Sequence, residues 1–304
     1  MVTEKQLVNS PSFTNQDKLE YQNKGVIHIE DMLPFNTVRH LQASAEANFK
    51  SDDQPDGVIR EFDRFSNEFA NRDEFFKVLA QDILAPLNKL TNDELVVTQI
   101  AILELEVGKG KGFDWHFDEY SFSFIDINSP GHTLWVPLNP IDVNKQRGGM
   151  VWVHQDDFSG KGRLKQWTHY QLADKELKIM PNGHYSKSKY EQYYNDNWAG
   201  PYDKVMLDDL QQECSLKLGD ALLFNRNTWH KSQELLPNGP LTKRTTIIFR
   251  LVSLDAKIHR TLFEKTIERM KLEGNVPPKS FGHRLGAFKD GDSIRDAINS
   301  GISF

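Results

Sequence analysis

The chain has 304 residues, with 37 Lys and Arg against 43 Asp and Glu, for a formal net charge of −6. An isoelectric point near 5.9 argues against a nucleic-acid binder, whose domains are usually basic, and no run of about 18 apolar residues exists to cross a bilayer. The single cysteine, Cys214, excludes an internal disulfide framework and any multi-cysteine zinc or iron–sulfur site. With no apolar signal core or Arg-rich character at the start, it fits a reducing, cytoplasmic setting.

Residues 1–15 are polar and read as an arm. A short helix from about Gln16 to Asn23 stops at Gly25. VIHIED (26–31) alternates and is β-branched, as a strand requires. Pro34 opens a helix with Val38, Leu41, Ala45 and Phe49 at spacings of three and four. The stretch from Phe75 to Leu90 also reads helical, with Phe76, Leu79, Ile83 and Leu87 on one face. After Asp93 the period changes. VVTQIAILELEV (96–107), LWVPL, MVWVH, SLKL, ALLF and TTIIFRLV follow as short β-runs between turn residues. Helices first and many short strands later predict an α+β chain with a mainly β core, an antiparallel barrel or sandwich with the N-terminal helices outside. Residues 155–212 are polar, aromatic and irregular. So long a segment inside a domain reads as a functional, lid-like insertion, with Trp167 and Tyr185 among its aromatics. Residues 260–272 look helical again. The expected division is an arm (1–15), one domain (16–255) carrying the insertion, and a C-terminal helical extension (256–304).

The informative segment is Asp114-Trp115-His116-Phe117-Asp118. In extended backbone, residues i and i+2 project to one face, so an imidazole and a carboxylate can meet one metal ion. Far downstream, Leu218-Gly219-Asp220-Ala221-Leu222-Leu223-Phe224 delivers Asn227-Thr228-Trp229-His230-Lys231-Ser232 to the same end of a barrel. Two His and one Asp make the facial triad of non-haem Fe(II) oxygenases. Arg244 follows on a strand-like run, and its planar fork suits the distal carboxylate of a 2-oxo acid. Arg250 lies on the same strand face, where it would meet an acidic substrate or pair structurally. The other histidines lack a second ligand at useful spacing, with His132 and His154 nearest in expectation to the site.

HxD before a strand, then GDxxxF, then HxS, then Arg on the next strand resembles the phytanoyl-CoA dioxygenase family of Fe(II)/2-oxoglutarate oxygenases. LEYQNKGVIHIEDMLP, LWVPLNPID and RGGMVWVHQDD extend the resemblance over about residues 16–253. The resemblance implies a double-stranded β-helix, or jelly roll, and a dioxygenase that oxidises an unactivated C–H bond of a small molecule. It implies Fe(II), 2-oxoglutarate as cosubstrate and O2. His116, Asp118 and His230 would hold iron. Arg244 would clamp the cosubstrate, with Ser232 as hydroxyl partner and Trp135 against it. Tyr120 and Phe122, just after the second ligand, would line the substrate pocket, with Arg250, Trp167 and Tyr185 as further substrate contacts. Phe117 stands where Gln is common in the family. The expected substrate is an amino-acid-like metabolite or natural product, hydroxylated, desaturated or cyclised. The alternatives are an acyl-CoA hydroxylase, a jelly-roll metal binder without turnover, or a cupin-like hydrolase or isomerase. A small molecule, without nucleic acid or membrane, is the expected partner of a monomer or weak homo-oligomer.

Overall fold

The computed structural model describes residues 11–48, 59–63, 72–108, 112–172, 199, 201–272 and 280–300. Helix α1 (Asn15–Lys24) starts at Thr14, whose hydroxyl accepts from the Asp17 amide while the Asp17 carboxylate accepts from the Thr14 amide. This reciprocal cap satisfies two amides that a helix start leaves orphaned. The helix ends at Gly25, left-handed at φ 72°. The left-handed backbone favours glycine there, and a Cβ would fall 2.4 Å from the Gln155 side-chain end and displace it. Strand β1 (Val26–Ile29) and helix α2 (Phe35–Asn48) follow as the periodicity predicts; Phe49 lies outside the described residues.

The helix expected over Phe75–Leu90 is present in three pieces: α3 (Arg72–Leu79), a π turn (Ala80–Leu84) and α4 (Ala85–Thr91). Pro86 has no amide N–H and its ring crowds the carbonyl four residues back. The wider turn, with Ala85 N donating to Ala80 O, lies where that crowding falls. Leu79, Ile83 and Leu87 are fully buried as expected, but Phe75 rather than the expected Phe76 joins them, Phe76 being only partly buried.

Strands β2 (Ile59–Asp63), β3 (Leu95–Glu106), β4 (Gly131–Pro137), β7 (Ala221–Asn225) and β9 (Lys243–Ser253) join β1 in an antiparallel six-stranded sheet ordered β1-β7-β4-β9-β3-β2. Strands β5 (Met150–Trp152), β6 (Gln212–Glu213) and β8 (His230–Ser232) form a small sheet ordered β6-β5-β8. The sequence pattern did not single out β2. Of SLKL, Leu216 alone pairs, as an isolated bridge to Ile141.

Alternation along the central strands splits their side chains. Leu134, Val136, Leu223, Ile247, Phe249 and Leu251 pack against the N-terminal helices. Trp135, Leu222 and Phe224 face the other way and pack with Met150 and Trp152 of the small sheet. The two sheets thus make the jelly-roll-type architecture, as two antiparallel layers rather than one closed barrel.

The insertion is more regular than expected. Residues 161–172 form helix α5 (Lys161–Leu172) and residues 201–210 helix α6 (Pro201–Leu210). An Arg163–Asp203 ion pair at 2.5 Å ties them together. Among their described side chains, Leu164 and Leu207 are the buried apolar anchors, with Leu210 partly buried. Tyr185 and the Trp167 side chain lie outside what the structure describes. Helix α7 (Arg260–Leu272), a 3-10 turn (Phe281–Arg284) and helix α8 (Ile294–Asn299) share one hydrophobic cluster with Val96, Phe122, Phe124 and Val252.

Candidate active site

His116 and His230 are brought together by backbone pairing. Each amide donates to the other's carbonyl, at 3.0 and 2.9 Å, so the segment at His116 extends the small sheet beyond β8. The imidazole rings lie 4.2 Å apart between centroids. His116 Nδ1 is 2.6 Å from the Asp114 carbonyl oxygen, and His230 Nδ1 is 2.9 Å from that of Thr228. Carbonyls only accept, so each Nδ1 carries the proton and donates. Each Nε2 is left as a lone pair, the tautomer a metal ligand needs. One ligand atom from each of His116, Asp118 and His230 lies within 4.8 Å of the others.

The large sheet holds the third member. Asp118 Oδ2 accepts from Thr133 Oγ1 at 2.6 Å and from Arg250 Nη1. Its Oδ1 lies 3.8 Å from His230 Nε2. Burial alone would raise the Asp118 pKa; Arg250, the two histidines and the Thr133 hydroxyl outweigh it and hold the carboxyl below its usual range. Burial, then the neighbouring His230, pulls His116 down to about 3, and burial also lowers His230. The cluster is therefore anionic at neutral pH, with two neutral imidazoles and one carboxylate. This donor set suits a divalent transition metal.

Aromatic packing fixes the segments behind the ligands. Phe117 meets Trp229 edge-on at 4.9 Å, and Phe158 stacks on Trp229 at 6.2 Å. Trp115 Nε1 donates to Asp208 of α6 at 2.8 Å. Arg226, fully buried, donates to the carbonyls of Phe122 and Asp126 and so pins the turn that follows Asp118. The sequence reading passed over Thr133 and Arg226. A polar β-branched residue at an inward position of an apolar strand was the signal for the first.

A cavity of about 160 Å³ opens on the cluster. Its walls include Phe113, Phe117, Tyr120, Trp135, Ser232 and Arg250. Phe122 is not among them. Its ring packs under Gly131 and below the Arg226 guanidinium, in the cluster beneath the C-terminal helices, because the 3-10 turn Tyr120–Phe122 sends it to the opposite side. His132 also points away. It lies on the helix-facing side of β4, where the Tyr21 hydroxyl meets its Nδ1 at 2.6 Å, and burial lowers it to about 4.

The two arginines differ. Arg250 borders the cavity and pairs with Asp118. Arg244 sits one layer back, fully buried, its guanidinium 5.3 Å from the Trp135 ring. Its Nη1 donates to Thr246, while Nε and Nη2 meet no acceptor. Burial pushes it down to about 9. No described carboxylate pairs with it. A buried cation with two idle donors is costly unless an anion joins it.

The model of the phytanoyl-CoA dioxygenase family matches residues 21–238, most of the chain and both halves of the His116–Asp118–His230 cluster. The chain belongs to the phytanoyl-CoA dioxygenase family. Members of this family are oxygenases that use iron and 2-oxoglutarate. Among solved structures, the chain is similar to the non-haem α-ketoglutarate-dependent carbocyclase SnoK from nogalamycin biosynthesis: 16% identity, 92% of this chain and 93% of that one, TM-score 0.58. It is also similar to the epimerase SnoN in complex with Fe3+, α-ketoglutarate and nogalamycin RO: 15% identity, 91% and 94% coverage, TM-score 0.56. A third is EctD from S. alaskensis with 2-oxoglutarate and 5-hydroxyectoine: 13% identity, 85% and 82% coverage, TM-score 0.51. At these identities the likeness is one of fold. No curated protein matches the sequence.

Proposed function

We propose that this family member is an Fe(II)- and 2-oxoglutarate-dependent dioxygenase that oxidises a C–H bond of a small natural-product-like molecule. The His116–Asp118–His230 cluster, with Asp118 and His230 buried, His116 half-buried and both Nδ1 atoms engaged by carbonyls, carries the reading. His116, Asp118 and His230 hold the metal. Arg244 takes the distal carboxylate of 2-oxoglutarate with the donors it leaves idle, and Trp135 and Ser232 flank the cosubstrate. Fe(II) and 2-oxoglutarate, when bound, supply the oxidising power by reducing dioxygen as the cosubstrate goes to succinate and CO2.

The protein's own part is orientation and exclusion of water. Carbonyls of Asp114 and Thr228 fix the imidazole tautomers. Phe113, Phe117 and Tyr120 give the cavity apolar walls near the ligands. A volume of about 160 Å³ falls below the roughly 300–1,000 Å³ of sites for drug-sized ligands. The cosubstrate therefore occupies the inner space and the substrate's bulk sits at the mouth, by the partly exposed Phe113. The small molecules held by the solved relatives, a nogalamycin compound and 5-hydroxyectoine, support the substrate class.

The test is a screen of small metabolites on protein reconstituted with Fe(II) under anaerobic conditions, then exposed to air. Succinate release is expected to need both Fe(II) and 2-oxoglutarate and to rise above the uncoupled background with a true substrate. Full turnover without 2-oxoglutarate overturns the reading.

A further inference from the structure

Thr133 and Arg250 are opposite one another in the register of β4 and β9, so their side chains leave the same face of the large sheet. They converge on one atom of the neighbouring cluster. Thr133 Oγ1 donates to Asp118 Oδ2 at 2.6 Å. Arg250 Nη1 donates to that same oxygen and to Thr133 Oγ1. The roles are mutually consistent: the one hydroxyl proton goes to the carboxylate, and a hydroxyl lone pair receives the guanidinium. Asp118 Oδ1 receives no hydrogen bond from a described residue and faces His230 Nε2. The two oxygens of one carboxylate are thus unlike, one held by a cation and a hydroxyl, the other turned to the cluster.

We propose that Arg250 and Thr133 are positioning residues that restrict Asp118 to coordination through Oδ1 alone. The proposal rests on the metal-site reading above and adds a reason for this pair. A facial triad that gives one atom per residue leaves three of six octahedral positions free. A carboxylate gripping through both oxygens would take a fourth. A 2-oxo acid chelating through two atoms would then fill the rest, with no place for dioxygen. Holding Oδ2 in the large sheet prevents this. It also assigns Arg250 a part distinct from that of Arg244, whose Nε and Nη2 meet no acceptor and which pairs with no described carboxylate.

The test uses metal-free full-length protein and the variants Thr133→Val, Arg250→Met and Arg250→Lys, each checked for folding by its thermal melt. Thr133→Val keeps the shape while deleting the hydroxyl, so it stays informative if an arginine variant fails to fold. Affinity for Fe(II), measured anaerobically, is expected to fall about tenfold in Thr133→Val and Arg250→Met, the usual scale for partners of a metal ligand, with partial recovery in Arg250→Lys. With Fe(II) and 2-oxoglutarate bound, nitric oxide probes the remaining position. Wild type is expected to give the nitrosyl electron-paramagnetic-resonance signal, and Thr133→Val less than half of it. Unchanged metal affinity and unchanged nitrosyl signal in folded variants overturn the proposal. A rise in the 2-oxoglutarate Kd of Arg250→Met with metal affinity intact also overturns it and makes Arg250 a cosubstrate contact. Failure of wild type to bind Fe(II) at all would instead strike the metal-site reading itself.

Discussion

The two faces of the six-stranded sheet are built from the same strands, and the one toward the small sheet mixes buried polar groups with apolar ones. Toward the helices stand Leu134, Val136, Leu223, Ile247, Phe249 and Leu251, all fully buried and apolar. Toward the small sheet, the intervening positions of β4 and β9 carry Thr133, Trp135, Arg244, Thr246, Ile248 and Arg250. One face gains from burial in proportion to the apolar area removed from water. The other buries hydroxyls and guanidinium groups, which burial alone disfavours. A backbone period of two lets a single strand keep a stabilising side and a reactive side one residue apart. The difference teaches that stability and chemistry in this chain should be separable by substituting neighbours.

The largest separation is expected at the ligands. His230→Ala should abolish turnover and Fe(II) binding while the metal-free melt shifts little, since the imidazole packs at a cavity rather than in the helix-side core. Loss of the melt along with turnover would break the comparison. From the other face, Phe249→Ala, one residue from Arg250, should cost about 3–5 kcal/mol of stability, the range for truncating a buried aromatic. Fe(II) affinity per folded molecule should stay near wild type, as read by denaturant titration beside metal titration.

Arg244→Met sharpens the contrast. It should weaken 2-oxoglutarate binding by on the order of 10–100-fold, the loss of hydrogen bonds to a charged group. The cosubstrate-free melt should hold or rise, because an unpaired buried cation leaves with it. A fall in that melt with 2-oxoglutarate affinity intact would show Arg244 to be structural. The smallest effect lies behind the sheet. His132 is held neutral, with its pKa lowered by burial to about 4, whereas an unfolded histidine titrates near 6.5. Its contribution is intact above about pH 6.5 and is lost as the pH falls toward 4. The metal-free melt should drop over that window, and less steeply in His132→Gln. An equal slope in the variant would place the loss in the ligand histidines.

That His116, Asp118 and His230 come together was legible in the sequence because each sits in a short ordered motif, HxD or HxS after GDxxxF. The alternation of β4, β7 and β9 was legible too, and so was the shared face of Arg244 and Arg250. What Arg250 touches was not. Its contact with Asp118 depends on the pairing of β4 with β9, residues far apart in sequence, and no local pattern encodes a register. Phe122 was misplaced for a similar reason. Its distance from Asp118 in sequence says nothing of the 3-10 turn that reverses its direction. Helices α5 and α6 were missed because they lie in a polar, aromatic stretch with no clear local period, although Leu164 and Leu207 are buried in a common cluster. The Pro86 π turn left the periodicity intact and so stayed invisible.

The paired amides and carbonyls of His116 and His230 join points 114 residues apart in the sequence. Between them run β4, β5, β7 and both described helices of the insertion. Closing so long a loop costs entropy, so the cluster exists only where the rest of the fold repays that cost. An ion that recognises this arrangement has no comparable site on the open chain, and its occupancy favours the closed loop by mass action. If His116, Asp118 and His230 hold the iron, metal supply is thereby coupled to the stability of the fold, and the loaded protein should melt later than the empty one.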